Sequence, residues 1–271
     1  MLRSLVAVLL VLLLLVLASI GGAVGYWYHG SRLNPLPSGS APNGKAEHTW
    51  LDRLQSQNPR VAEEAEWEVL RLGASAIPEL RAALQEPTSS AERIKAALRA
   101  CALLGTTAAP ALPEITAHLS TADYAAEAAM ALSVMGPDAY TPLADALTNE
   151  DAAVRKEAVR SLGKLQGRAS LDPSFVVPAL LDALADRDAS VRAIATTYLG
   201  IIHKNPDATV PALTEMLKDE NPEVRTAAAS ALGSFGAAAS PAVPALRRAA
   251  GDKDENVARE AGLALVKLQS R

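Results

Sequence analysis

The chain has 271 residues, 49% of them hydrophobic but only 4% aromatic, and a formal charge of −4. Alanine and leucine dominate, a mix that favours close helix-on-helix packing over sheets, which prefer β-branched and aromatic side chains. The single cysteine, Cys101, excludes an intramolecular disulfide and a zinc site built on several thiolates, and the acidic balance argues against a nucleic-acid binder, which carries a basic excess or stripe.

Leu5 to Val24 form an uncharged, apolar run. Twenty helical residues span roughly 30 Å, the thickness of a bilayer core. Tyr26, Trp27 and Tyr28 follow at once, where a membrane interface favours aromatic rings. Residues 1–28 therefore read as a transmembrane signal-anchor. Arg3 and the terminal amine place the N-terminus in the cytoplasm and the rest of the chain outside it, in the periplasm of a bacterium. The competing reading is a secretory signal cleaved near Gly21 and Ala23, small residues suited to a cleavage site. Residues 29–45 mix glycine and proline with small polar residues and read as a flexible spacer. Without residues 1–32, which hold only Arg3 and Arg32, 24 basic and 30 acidic residues remain.

From about residue 46 the chain repeats itself. DAAVRKEAVRSLG at 151–163, DASVRAIATTYLG at 188–200 and NPEVRTAAASALG at 221–233 are the clearest copies. Val257 continues the series, with Ala258 in place of the arginine. A second, proline-bearing element precedes each copy, and its prolines are Pro78, Pro113, Pro142, Pro178, Pro211 and Pro244. A period near 33 residues is the mark of a solenoid. Apolar residues recur at three- and four-residue steps, as in Val191, Ile194, Ala195, Tyr198, Leu199 and Ile202, so the elements are helices. Asn58, Asp172, Asn205 and Asn221 each precede a proline, which predicts helix caps there. Gly105, Gly136, Gly163, Gly200 and Gly233 sit near the far ends, either closing a helix or, for the last three, letting the next helix approach.

These residues resemble the HEAT-repeat family, in particular bacterial HEAT-like repeats with the pattern D-x-x-V-R-x-x-A-x-x-x-L-G. Asp151, Val154, Arg155, Ala158, Leu162 and Gly163 fit it in full, as do Asp188, Val191, Arg192, Ala195, Leu199 and Gly200. The likeness is strong over 150–270 and degenerate over 46–148, where Tyr124 and Ala125 take the V-R positions. It implies an all-α, right-handed α-α superhelix of about seven helical hairpins over residues 46–271, armadillo-like in build. The proline-bearing helices would be convex and the V-R helices concave. Asp151 with Arg155, and Asp188 with Arg192, are expected to pair across four-residue steps.

Few residues carry a pattern that points to chemistry. None of His29, His48, His118 and His203 is followed by glutamate, so the paired His-Glu motifs of HEAT-like metal-dependent hydroxylases are missing. Cys101 lies on an apolar helix and reads as a buried thiol. Glu63, Glu64, Glu66 and Glu68 scatter around a helix axis instead of converging. Charge alternates in sign along the concave helices, whereas DNA tracking needs one continuous sign. The chain is accordingly expected to be a non-catalytic, membrane-tethered scaffold for a protein or peptide partner, with no cofactor, no metal and no nucleic acid. By position, Glu157, Arg160, Thr196, Thr197 and Ser230 are expected to face the concave groove. Two alternatives stand beside this reading. One is a secreted binding protein released by signal cleavage. The other is a protein handling tetrapyrroles, since the repeats also resemble those of phycobilin lyases.

Overall fold

Asparagine-proline steps set two of the helix starts. In the computed structural model, which describes residues 49–168 and 173–269, Asn58 accepts from the main-chain N–H of Arg60 at 3.1 Å and Asn221 from that of Glu223 at 2.8 Å. Proline then occupies the first helical position, where a missing N–H is harmless. Asn205 precedes Pro206 in the same way but makes no side-chain cap, because its backbone is left-handed, φ 51°. Asp172 lies outside the described residues, as does the apolar segment at 5–24. Among the described residues no helix is long and apolar enough to cross a membrane.

Among the described residues the chain forms fourteen α-helices, no strand, and two rows. The outer row holds α1 (Trp50–Arg53), α3 (Ile77–Gln85), α5 (Leu112–Leu119), α7 (Tyr140–Asp145), α9 (Pro173–Asp182), α11 (Pro206–Met216) and α13 (Val243–Ala249). The inner row holds α2 (Pro59–Leu72), α4 (Ala91–Leu104), α6 (Ala122–Leu132), α8 (Ala152–Arg168), α10 (Ala189–Ile202), α12 (Pro222–Ser234) and α14 (Glu255–Gln269). They pair in chain order into seven hairpins. Every inner helix packs along the next inner helix, whereas among the described residues outer helices meet only locally, as where Tyr140 of α7 donates to the Phe175 carbonyl of α9 at 2.9 Å. Tighter spacing in one layer bends a stack toward that layer, so the inner row lines the concave side.

The same few positions build the core of every hairpin. At one equivalent position every inner helix carries a fully buried alanine: Ala65, Ala97, Ala128, Ala158, Ala195, Ala228 and Ala261. A side chain this small brings the two rows close together. Opposite it stands a large buried residue of the outer row, placed one or two positions after the proline, such as Leu80, Ile115, Leu143, Leu180, Leu213 or Leu246. Each such side chain contributes about 1.5–3 kcal/mol by leaving water. One short hairpin has no second face to cover its apolar side, so neighbours must stack.

Glycines serve two separate purposes. Gly105 and Gly136 have positive φ, 57° and 90°, and turn the chain from an inner helix into the next outer one. Gly163, Gly200 and Gly233 instead lie within α8, α10 and α12 and mark where the next inner helix approaches closest. A Cβ on Gly200 would stand 2.6 Å from Ala231 Cβ and 2.7 Å from its Cα, while a Cβ on Gly163 would meet the Tyr198 ring. Backbone cannot yield as a ring can. Gly200→Ala is therefore expected to destabilise by about 1–2 kcal/mol even after the gain in helix propensity, and Gly163→Ala by less. Urea midpoints of the two variants test this order.

Candidate functional site

The arginine of each V-R pair looks away from the partner expected of it. Arg155 donates Nε and Nη2 to the two carboxylate oxygens of Asp186, at 2.7 and 2.8 Å, and Nη1 to the Asn149 and Glu150 carbonyls, each at 2.9 Å. Arg192 repeats the pattern on Asp219, at 2.8 and 2.9 Å, and on the Asp186 carbonyl at 2.9 Å. Arg225 repeats it on Asp252, at 2.9 and 3.0 Å, and on the Asp219 carbonyl at 2.9 Å. Asp186 and Asp219 are thus gripped from both sides, and the loops of four consecutive hairpins form one ladder. The four-residue pairs expected at Asp151–Arg155 and Asp188–Arg192 do not form. Asp151 and Asp188 are helix caps that accept from Ala153 N at 2.7 Å and Ser190 N at 2.8 Å. The arginine pairs with an aspartate, but its bond runs between hairpins.

The ladder is largely dry. The side chains of Arg155 and Asp186 are 4% and 10% exposed. Burial by itself would raise the Asp186 and Asp219 carboxyls. The guanidinium hydrogen bonds, the main-chain N–H two residues on and the arginine charge outweigh it, and hold both below the usual carboxylate range. Asp252 also lies low, chiefly through the Arg225 hydrogen bond. Charge-assisted bidentate pairs of this kind are strong, and removing one partner strands the other charge. Arg192→Ala is expected to cost about 3–5 kcal/mol, whereas the double change Arg192→Met with Asp219→Leu should recover most of it. Chemical denaturation of the three proteins makes the comparison. The sign of the acid effect follows from the depressed carboxyls. Their contribution is complete above the unfolded-state value of about 3.9 and disappears as pH falls through the lower folded values. The urea midpoint should therefore be level from pH 8 to about pH 5 and drop below about pH 4, and Asp219→Asn should flatten that drop.

α10, α12 and α14 enclose an open groove of about 640 Å³. Thr197 and Ser230, 33 residues apart and each two residues past a buried alanine, line it together. Thr196 does not. It is fully buried and donates to the Arg192 carbonyl at 2.8 Å, because the 100° step from Thr197 turns it toward the core. Glu157 and Arg160 lie on α8, half-buried and bonded to each other, and do not line the groove. Sequence reasoning missed Glu223, Thr226, Asn256, Arg259 and Glu260, which complete the walls. A helical step back from Ser230 finds Thr226, and the 33-residue period carries Glu223 to Asn256 and Thr226 to Arg259.

Other reactive side chains lie elsewhere. Cys101 is fully buried, and desolvation first, then the Glu114 charge, push its thiol up to about 12. His118 Nε2 meets the Leu84 carbonyl at 2.9 Å and stacks edge-on with Tyr124. His203 closes α10 in a left-handed conformation against Phe235. Among the described residues no three metal-ligating side chains converge.

Residues 177–266 match the family model for HEAT repeats, a stretch that holds two of the three ladder arginines and the whole groove. No curated protein matches the chain. Several solved structures are similar. An engineered protein is 23% identical over 82% of this chain and 68% of its own, with a TM-score of 0.49. The complex of CpcE and CpcF of phycocyanin lyase from Nostoc sp. PCC7120 is 24% identical over 57% of this chain and 98% of its own, with a TM-score of 0.49. Computationally designed armadillo repeat proteins for modular peptide recognition are 20% identical over 80% of this chain and 98% of their own, with a TM-score of 0.44.

Proposed function

We propose that this chain is a non-catalytic scaffold that holds a protein or peptide segment against its concave row, and that residues 5–24 keep it at a membrane with the repeats outside the cytoplasm. In this reading the stack is a right-handed superhelix and the spacer at 29–45 holds it off the lipid. The observation that carries the docking role is the groove across α10, α12 and α14. It opens to solvent, Thr197, Ala227 and Ser230 leave room in it, Glu223, Asp254, Arg259 and Glu260 border it, and the arginine–aspartate ladder fixes the helices that carry these residues. A rigid, preformed surface loses little conformational freedom when a partner settles on it, which favours binding. The apolar segment and its aromatic border support the membrane placement.

The test begins with crosslinking of intact cells, followed by solubilisation of their membranes and recovery of the tagged full-length chain. A double variant, Thr197→Trp with Ser230→Trp, fills the groove from two exposed positions that take no part in the ladder. A crosslinked partner should come from the membrane fraction with the native chain. It should be lost at least tenfold with the variant, whose melting temperature should be unchanged. A partner held equally by both proteins would remove the groove from its docking role. A chain found only in the soluble fraction would remove the membrane.

A further inference from the structure

Deepening that docking role, and resting on it, we infer that the groove selects an extended polypeptide segment carrying a lysine or arginine. The first argument is size. The groove crosses three inner helices, and neighbouring helices lie about 8–10 Å apart. Two such gaps match roughly five or six extended residues at about 3.3 Å each. The groove also crosses positions where side chains are small, Thr197, Ala227 and Ser230, so a backbone can approach the helices.

Charge is the second argument. Glu223, Asp254 and Glu260 line the groove, against Arg259 alone. Arg259 leans on Glu260 at 3.4 Å, and this single cation leaves a net negative lining. Asp254 also caps α14, accepting from Asn256 N at 3.0 Å. Exposed Glu223 is therefore the carboxylate a partner cation would read first, and Glu260 the one it would share with Arg259.

A third, independent argument comes from the hydroxyls. Thr197 and Thr226 have committed their protons to the Ala193 and Pro222 carbonyls, each at 2.8 Å. What those oxygens still offer is acceptor capacity. Beside two carboxylates they make the floor rich in acceptors. Its complement is rich in donors: main-chain N–H groups with an ammonium or guanidinium. A nucleic-acid backbone is refused by the same charge.

The experiment pans a display library of random dodecapeptides against the immobilised full-length chain in detergent at about 50 mM salt. Capture by the groove is defined as capture lost in the Thr197→Trp, Ser230→Trp double variant. Groove-captured peptides should be enriched several-fold in lysine or arginine over the starting library. Their affinity should fall severalfold in about 0.5 M salt, where exposed charges are screened. Each carboxylate removed by Glu223→Gln or Glu260→Gln should weaken binding by up to about fivefold, the range of an exposed ion pair, without shifting the melting temperature. Groove-captured peptides with no basic enrichment, or with binding indifferent to both glutamates, would overturn this inference and leave the docking role standing. No groove-dependent capture at all would overturn both.

Discussion

The bidentate bond from an arginine to the aspartate of the next hairpin is the constraint on which the C-terminal half of the solenoid depends. A repeat stack has no long-range contacts to hold its register. Each hairpin touches only its neighbours, and apolar packing between similar helices tolerates sliding. A planar guanidinium gripping two carboxylate oxygens, with its third nitrogen on two loop carbonyls, tolerates very little. Because Asp186 and Asp219 receive one arginine on the side chain and another on the carbonyl, an error at one junction would be passed to the next. The ladder fixes hairpin to hairpin geometry where burial alone would leave it loose.

Close approach of the inner helices is the counterpart of that bond. The loops sit at one end of the helices and the glycines near the other. Gly163, Gly200 and Gly233 let α8, α10, α12 and α14 converge where an ordinary Cβ would hold them apart. From α8 to α14 the inner row is therefore pinned at both ends, by the arginines at the starts of α8, α10 and α12 and by close contact at their glycines, with the Tyr198 ring at Gly163 and with backbone at Gly200 and Gly233. Upstream the solution differs. Ala125 replaces the arginine in α6, and the junctions rely on separate bonds, such as Arg81 and Gln85 onto Glu114 at 2.8 and 2.6 Å and Arg93 onto Asp52 at 2.5 Å.

Much of this was legible in the sequence. A 33-residue period, helical apolar spacing and prolines at helix starts are local signals, and the hairpin count follows from them. The two uses of glycine were legible as a choice but not as an answer, since only the neighbouring helix decides which applies. The arginine misled because Asp151 and Asp188 lie four residues before it, a spacing that does bring side chains together on a helix. Both aspartates are needed as caps, and the carboxylates that win, Asp186 and Asp219, are 31 and 27 residues away, a distance bridged by stacking and invisible to any local rule. Thr196 failed for a simpler reason: adjacent residues on a helix face directions 100° apart, so Thr196 and Thr197 could not both look into the groove.

The room in the groove over α10 to α14 follows from one position. Two residues beyond the buried alanine of each inner helix stand Trp67, Arg99, Met130, Arg160, Thr197, Ser230 and Leu263. The first four are large and fill the concave surface above their helices, with Arg99 and Arg160 further bent over by Glu127 and Glu157. Thr197 and Ser230 are the two small residues of the series, and they are consecutive. Both fall within the stretch where the ladder is continuous. A shallow surface that must present acceptors at fixed spacing needs walls that neither fill it nor move. Small side chains meet the first need, and the arginine–aspartate bonds that fix α10 and α12 in the stack meet the second. Neither feature suffices alone: Arg155 belongs to the ladder, yet Arg160 and Tyr198 occupy the space above α8. The groove is thus the overlap of two independent patterns in the repeat, one of charge and one of side-chain volume.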